Sequence, residues 1–380
     1  MIFMVKFDLL HGDALEVLKK LPDESIQCCI TSPPYFRLRN YGVDGQIGLE
    51  DTPEEYVDKL VNVFREVRRV LHTTGVVYLN LGDTYSSSGG NGQSRHFDGR
   101  KKNFSTQFIR TKSLPIKNLL MIPARVAIAL QENGWILRDE IIWQKQNALP
   151  SSVRDRTTRS HEIIYMLTKS SKYYYDYYAV LEPAKSLGKP RNFRKKETLR
   201  NDIGNVYIPI SDGKRNLRSV WDIPTKPFKG SHFSVYPESL VEIPVKASIS
   251  EKGACTNCGA QWTRIIKRTT ILERNDNGRT HSLESQRFGK TPVPEKGWQS
   301  IRESIGWKQN CKCGTNEVRP PVVLDPFCGA GTTGVVALKH GCDFIGIDLN
   351  KEYLDTIARP RLEKTLNNIA EKQKQKKLEI

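Results

Sequence analysis

A chain of 380 residues can bury one large core and a smaller attached lobe. Lysine and arginine outnumber aspartate and glutamate 59 to 42, a formal charge of +17 that suits a polyanionic partner such as nucleic acid. No stretch approaches the roughly eighteen apolar residues of a membrane span, and the N-terminus lacks a secretory apolar region with a cleavage site.

In chain order, residues 5–10 predict a strand, and His11-Gly12-Asp13 turns it into a short helix over 14–20. Residues 26–31 form a compact apolar run suited to a strand buried on both faces. Thr52-Pro53-Glu54-Glu55 has capping-box spacing with proline at the first helical position. Val57, Leu60, Val61, Phe64, Val67 and Leu71 then share one helical face, and Gly75 is the expected end of that helix. Residues 76–81 predict a strand, 119–130 an amphipathic helix, and 136–143 and 162–167 two further strands. This is the pattern of a parallel, helix-covered α/β sheet.

Three stretches break the rhythm. Residues 86–118 are rich in glycine, serine and basic residues and read as a mobile loop. Residues 181–235 carry Lys, Arg, Asn and Pro with little periodicity, and 250–320 hold four cysteines. The α/β signal returns with a strand at 322–324. Beyond residue 366 the Lys/Gln/Glu segment reads as a solvated helix end or a tail.

After the 322–324 strand comes Asp325-Pro326-Phe327-Cys328-Gly329-Ala330-Gly331-Thr332-Thr333-Gly334, then a helix through Lys339 and a strand at 344–347 ending in Asp348. Glycines allow a tight turn and close approach of a ligand to the positive end of the helix. An acid ending the next strand can accept both ribose hydroxyls of a nucleoside. Gly329, Gly331 and Gly334 also satisfy the dinucleotide fingerprint, so an NAD-dependent oxidoreductase is a rival reading. Asp325 separates the two. A carboxylate in the turn suits the ammonium and sulfonium of S-adenosylmethionine and would repel a pyrophosphate.

The buried 26–31 run ends in Thr31-Ser32-Pro33-Pro34-Tyr35. Consecutive prolines fix the backbone and remove two N–H donors, and Ser32 before them is held extended. An exocyclic amine such as N4 of cytosine is a poor nucleophile because its lone pair is delocalised into the ring. If Ser32 Oγ and the Pro33 carbonyl accept its two hydrogens, the nitrogen can pyramidalise toward a methyl donor. Tyr35 can stack on a base extruded from the duplex.

Together, Thr-Ser-Pro-Pro-Tyr and Asp-Pro-Phe-Cys-Gly-Ala-Gly-Thr-Thr resemble the catalytic and cofactor motifs of the amino-methylating DNA methyltransferases. Their order, catalytic motif early and cofactor motif late, resembles the beta, circularly permuted, class. The similarity covers roughly residues 5–180 and 219–360. It implies a Rossmann-like S-adenosylmethionine methyltransferase sheet with helices on both faces, plus irregular inserts. It implies catalytic roles for Ser32, Pro33, Pro34 and Tyr35. Cofactor contacts are implied at Asp13, Phe233, Ser234, Asp325, Pro326, Phe327, Gly329, Gly331, Thr332, Thr333 and Asp348. His232-Phe233-Ser234-Val235-Tyr236-Pro237 matches the segment that closes over the methionine end. Serine before Pro-Pro resembles N4-cytosine enzymes, whereas N6-adenine enzymes more often carry Asp-Pro-Pro-Tyr; the adenine reading stays open as the alternative. C5 methylation would need a Pro-Cys nucleophile, which does not occur in the sequence. Methylation of protein glutamine uses a similar turn with Asn first. A non-enzymatic zinc-bearing DNA binder would have no use for Asp325 or Asp348.

A cytosolic location in a prokaryotic cell is expected, where the eight cysteines would be thiols or metal ligands. Cys255-x-x-Cys258-Gly and Cys311-x-Cys313-Gly offer four thiolates for a structural zinc, the alternative being four unligated thiols. Residues 181–235 are the expected target-recognition region. Arg191, Arg194, Lys195, Lys196, Arg215 and Arg218 there, with Arg154 and Arg156, are candidate contacts to double-stranded DNA; a solvated basic loop is the bland alternative. The expected layout is a catalytic half over 1–180, a cofactor-closing segment over 236–249, a cysteine-rich insert over 250–320, a cofactor half over 321–366 and a charged tail over 367–380. A cognate restriction endonuclease is a possible partner.

Overall fold

Every residue of the strand Ile26–Thr31 is buried, as a strand covered on both faces requires. It lies inside a mixed sheet of the computed structural model, which describes residues 4–86, 90–93, 105–108, 114–148, 150–184, 210–225, 235–272 and 298–378. Across that sheet the order is Phe7–His11, Asp343–Asp348, Val322–Asp325, Ile26–Thr31, Leu71–Leu81, His161–Thr168, Ile136–Gln144, Val220–Asp222. Neighbours are parallel except at His161–Thr168, which runs against both Leu71–Leu81 and Ile136–Gln144. The all-parallel expectation is corrected there. The described residues between 144 and 161 contain no helix to carry a crossover, so the chain simply reverses.

Alternate residues of Leu71–Leu81 point to opposite faces. Val77, Leu79 and Leu81 join a core with residues of the helices Ala14–Leu18, Pro53–Val70 and Ile122–Glu132. Tyr78 points the other way, its hydroxyl 3.1 Å from Ser248 Oγ at the end of the helix Glu238–Ser248. That helix packs on Thr332–Lys339, which packs on Arg359–Leu378. The result is an α/β, Rossmann-like sheet with helices on both faces.

The capping box at Thr52 forms as its spacing implies, with Thr52 Oγ1 accepting from the Glu55 N–H and the Glu55 side chain reaching back. The helix ends at Val70 rather than at Gly75. Leu71 is already extended, and the strand runs from there through Gly75; the β-branched pair Thr73-Thr74 favours strand over a further helical turn. The helix expected from residue 119 begins at Ile122, with Pro123 in its first turn, and the last helix continues to Leu378. In the expected loop 86–118, Gly90–Gln93 pairs with Ser105–Phe108, and Ser86 exchanges backbone hydrogen bonds with Lys117 and Asn118; the remainder lies outside the described residues.

Two compact units divide the chain. The larger comprises Met1–Asp176, Arg218–Trp262 and Gln309–Ile380, and so holds the sheet and all four clustered cysteines. The smaller comprises Tyr177–Leu217 and Thr263–Lys308. Within it Thr263–Leu272 pairs antiparallel with Trp298–Lys308, and Ile210–Ser211 pairs parallel with the latter. Arg302 grips Asp212 through two nitrogens at 2.7 and 2.9 Å. The Arg264 guanidinium lies 4.3 Å from the Trp307 ring centroid.

Candidate active site and cysteine cluster

Because Ile26–Thr31 and Val322–Asp325 are adjacent and parallel, the turns that follow them meet at one edge of the sheet. Ligands of open α/β sheets bind at such carboxyl ends. A cavity of about 530 Å³ lies there, within the range of small-molecule sites. Its wall includes Ser32, Pro33, Pro34 and Tyr35 from one turn and Pro326, Phe327, Gly329 and Thr332 from the other, with Asp13 and Asp348 beside them.

Asp348 closes its strand with a carboxylate that accepts N–H groups from Gly329 at 2.7 Å and Asn350 at 2.8 Å. Burial pushes this carboxyl above its ordinary range. Asp13 caps the helix Ala14–Leu18, accepting the Glu16 N–H at 3.1 Å, while Gly12 N–H bonds the Asp348 carbonyl at 3.0 Å. Gly331 precedes the helix Thr332–Lys339 with φ of 72°, which favours glycine, and a Cβ there would crowd Ala358 Cβ at 3.1 Å.

Asp325 is placed differently from the expectation of a carboxylate facing a bound cation. It is 1% exposed and does not line the cavity. Thr31 and Thr333 hydroxyls each donate to it at 2.7 Å, the Phe327 N–H at 3.1 Å and the Tyr236 hydroxyl at 3.1 Å. Burial raises its carboxyl and these donors counter that rise. Asp325 thus ties both strand ends and the 235–237 segment together. Gly331 and Thr333 likewise stand behind the cavity wall, whereas Tyr236 reaches it. Phe233 and Ser234 lie outside the described residues.

Sequence reasoning missed the groups that surround Ser32. The Ser32 hydroxyl donates to Tyr35 Oη at 3.2 Å, and the Tyr35 hydroxyl donates to Glu162 Oε2 at 2.8 Å. Asn80 Nδ2 lies 2.9 Å from both Tyr35 Oη and Glu162 Oε2, and 3.4 Å from Ser32 Oγ. Lys145 pairs with Glu162 Oε1 and stands 4.6 Å from the Trp143 ring. A Cβ on Gly82 would lie 2.5 Å from the Tyr35 ring, so this glycine admits the ring. One signal was present in the sequence: Asn80 is the one amide in the otherwise hydrophobic run 76–81. Glu162 and Lys145 gave none, because strand register alone brings them to the turn.

The four cysteines of the two half-motifs converge, their sulfurs all within 4.8 Å of one another. Gly259 and Gly314, after each pair, have φ of 75° and 70°. Gln27 anchors this knuckle to the sheet, giving an amide N–H to the Gly259 carbonyl at 3.2 Å and accepting the Val322 N–H at 2.8 Å. Cys28, Cys29, Cys328 and Cys342 are buried elsewhere.

Of the candidate DNA contacts, Arg154, Arg156, Arg215 and Arg218 are among the described residues. Arg154 and Arg156 are exposed, the latter over the Tyr85 ring at 4.2 Å. Arg218 is exposed too, and Arg215 pairs with Glu182 at 2.7 Å within the smaller unit. Arg191, Arg194, Lys195 and Lys196 lie outside the described residues. No helix among the described residues is long and apolar enough to cross a membrane.

Comparison with known proteins agrees with this geometry. The family model for N6/N4 methyltransferases, described as DNA methylase, matches residues 26–256 and 312–359. The chain is 36% identical over 364 residues to the Type II methyltransferase M.Cfr9I of Citrobacter freundii, spanning 95% of this chain and 89% of that protein. It is 34% identical over 354 residues to the Type II methyltransferase M.SmaI of Serratia marcescens, spanning 93% and 90%. Its fold is similar to that of the PvuII cytosine-N4-specific DNA methyltransferase, with a TM-score of 0.50, 15% identity, and coverage of 97% of this chain and 93% of that one. The chain belongs to the N6/N4 family of DNA methylases.

Proposed function

We propose that this methylase transfers the methyl group of S-adenosylmethionine to the exocyclic N4 amine of cytosine, at a specific site in duplex DNA and on an extruded base. The observation that carries the reading is the direction of the hydrogen bonds at Ser32. Its own proton is committed to Tyr35, so its oxygen meets the cavity as an acceptor. An acceptor is what a delocalised amine needs, since drawing on its N–H groups favours the pyramidal, nucleophilic nitrogen. The Pro33 carbonyl is the second acceptor in this scheme. The Tyr56 hydroxyl holds the Pro34 carbonyl at 2.9 Å and so steadies the turn. Serine in place of aspartate at position 32 supports cytosine over adenine.

The residues present fit S-adenosylmethionine. Asp348 offers a carboxylate at the cavity for ribose hydroxyls, with Asp13 on the adenine side and residues 326–330 and Thr332 as the turn around the ligand. When bound, this cofactor supplies an electrophilic methyl group. The early catalytic and late cofactor motifs support the circularly permuted class. We assign the cysteine cluster to one structural zinc, held by four thiolates. Double-stranded DNA is the substrate, and an endonuclease of the same site is the expected partner, as for a restriction-modification pair. Modified-base mapping of DNA from cells expressing this gene tests the reading. One methylated sequence motif, absent without the gene, is the expected result, and unmodified DNA would refute it.

A further inference from the structure

We infer that Glu162 is the end point of a proton relay, running through Ser32 and Tyr35, that removes the proton released when the target amine is methylated. The inference rests on the methyl-transfer reading and extends it to the fate of that proton. An amine that gains a methyl group carries a positive charge until it loses an N–H proton. Ser32 is the hydroxyl at the cavity wall, and behind it stand Tyr35 Oη at 3.2 Å and then Glu162 Oε2 at 2.8 Å from that oxygen.

The Glu162 carboxylate, paired with Lys145 and able only to accept, fixes the direction of this chain, and Asn80 adds donors to it. The Asn80 Nδ2 only donates, and it points at Tyr35 Oη and Glu162 Oε2, both at 2.9 Å. The phenol oxygen therefore accepts from Asn80 and Ser32 and has its own proton left for the carboxylate. Glu162 divides its oxygens, Oε1 toward the Lys145 ammonium and Oε2 toward the relay. Among the described residues, Tyr35 and Lys145 are the titratable groups bonded to this carboxylate. Burial and the Glu162 carboxylate hold the Tyr35 phenol well above its ordinary range, so tyrosine releases a proton only as it receives one.

The transfer balances. The nitrogen–methyl bond forms as the methyl–sulfur bond breaks, with that electron pair left on sulfur. The amine proton passes to Ser32 Oγ, the serine proton to Tyr35 Oη and the tyrosine proton to Glu162 Oε2. Serine and tyrosine end unchanged, the methylated amine ends neutral and Glu162 ends as the acid. The positively charged methylated amine is a far stronger acid than a carboxylic acid, so the net transfer runs downhill.

The test is single-turnover methyl transfer by the full chain with saturating S-adenosylmethionine and DNA carrying the mapped site. Glu162→Gln keeps the shape and an acceptor for Tyr35 but removes the base. Its rate should fall about 100-fold while DNA and cofactor affinities hold. Tyr35→Phe keeps the ring and should slow transfer through the same step. The double variant should then be no slower than the slower single variant, because both cut one path. Glu162→Asp should recover part of the rate. Wild-type rate in Glu162→Gln, or losses that multiply in the double variant, would overturn the relay. A wild-type protein that transfers no methyl group would instead overturn the reading beneath it.

Discussion

At the end of Ile26–Thr31, Ser32 and Tyr35 turn their hydroxyls to the cavity wall in a chain of fixed direction. One strand over, at the end of Val322–Asp325, the carboxylate of Asp325 turns inward and is enclosed by three hydroxyls and a backbone N–H. The second turn lines the cavity with Pro326, Phe327, Cys328, Gly329 and Ala330, and leaves the cavity-lining acid to Asp348, half-buried at the end of the next strand. Similar polar residues on neighbouring strands thus do different work. A group with all its partners inside the protein holds the site in shape, and one with a valence directed at the cavity is free to act on what enters.

Breaking each turn should therefore cost different things. The largest effect is expected at Asp325→Ala, which strands three buried hydroxyl donors and an N–H. It should lower folding stability by about 3 kcal/mol or more, measured by denaturant unfolding; unchanged stability would contradict its structural role. Ser32→Ala comes next, with methyl transfer slowed ~100-fold at unaltered stability, read by single-turnover kinetics. A loss of folding in place of rate would erase the contrast between the turns. Asp348→Ala should weaken S-adenosylmethionine binding about 30-fold by calorimetry, with a smaller loss of stability than Asp325→Ala because it frees two backbone N–H groups and no hydroxyls. Since burial raises the Asp348 carboxyl and only its ionised form accepts both hydroxyls freely, cofactor affinity should also decline in mildly acidic buffer.

The cysteine cluster sharpens the comparison from the opposite end of the sheet. Gln27 and Val322 stand at the amino ends of the two strands whose carboxyl ends carry the turns. Metal analysis should find about one zinc per chain. Stripping it should lower the melting temperature with the smallest effect of the set on the rate constant of the folded enzyme. A metal-free protein in which Cys255→Ser is as stable as wild type would reject the site.

How far the sequence could be read follows from whether a signal was local. The wholly buried strand at 26–31, the cap at Thr52 and the two turns are local patterns, and each stands where its spacing implies. The reversal of His161–Thr168 was hidden, because an apolar run has no written direction. The helix end at Val70 was hidden because Gly75 is a stronger stop signal than the threonines that begin a strand. Asp325 read as a ligand group since nothing in its neighbours in sequence announces Thr31 or Tyr236 as donors. Glu162 and Asn80 belong to the site through register between strands far apart in the chain.

The most direct test of the central claim is the identity of the product. DNA containing the mapped site, methylated by the purified chain with S-adenosylmethionine, is digested to nucleosides and weighed by mass spectrometry. N4-methylcytosine is the predicted product, absent when Ser32 is alanine. N6-methyladenine would contradict the assignment of the base, and 5-methylcytosine or full activity of the alanine variant would contradict amine activation at Ser32 itself.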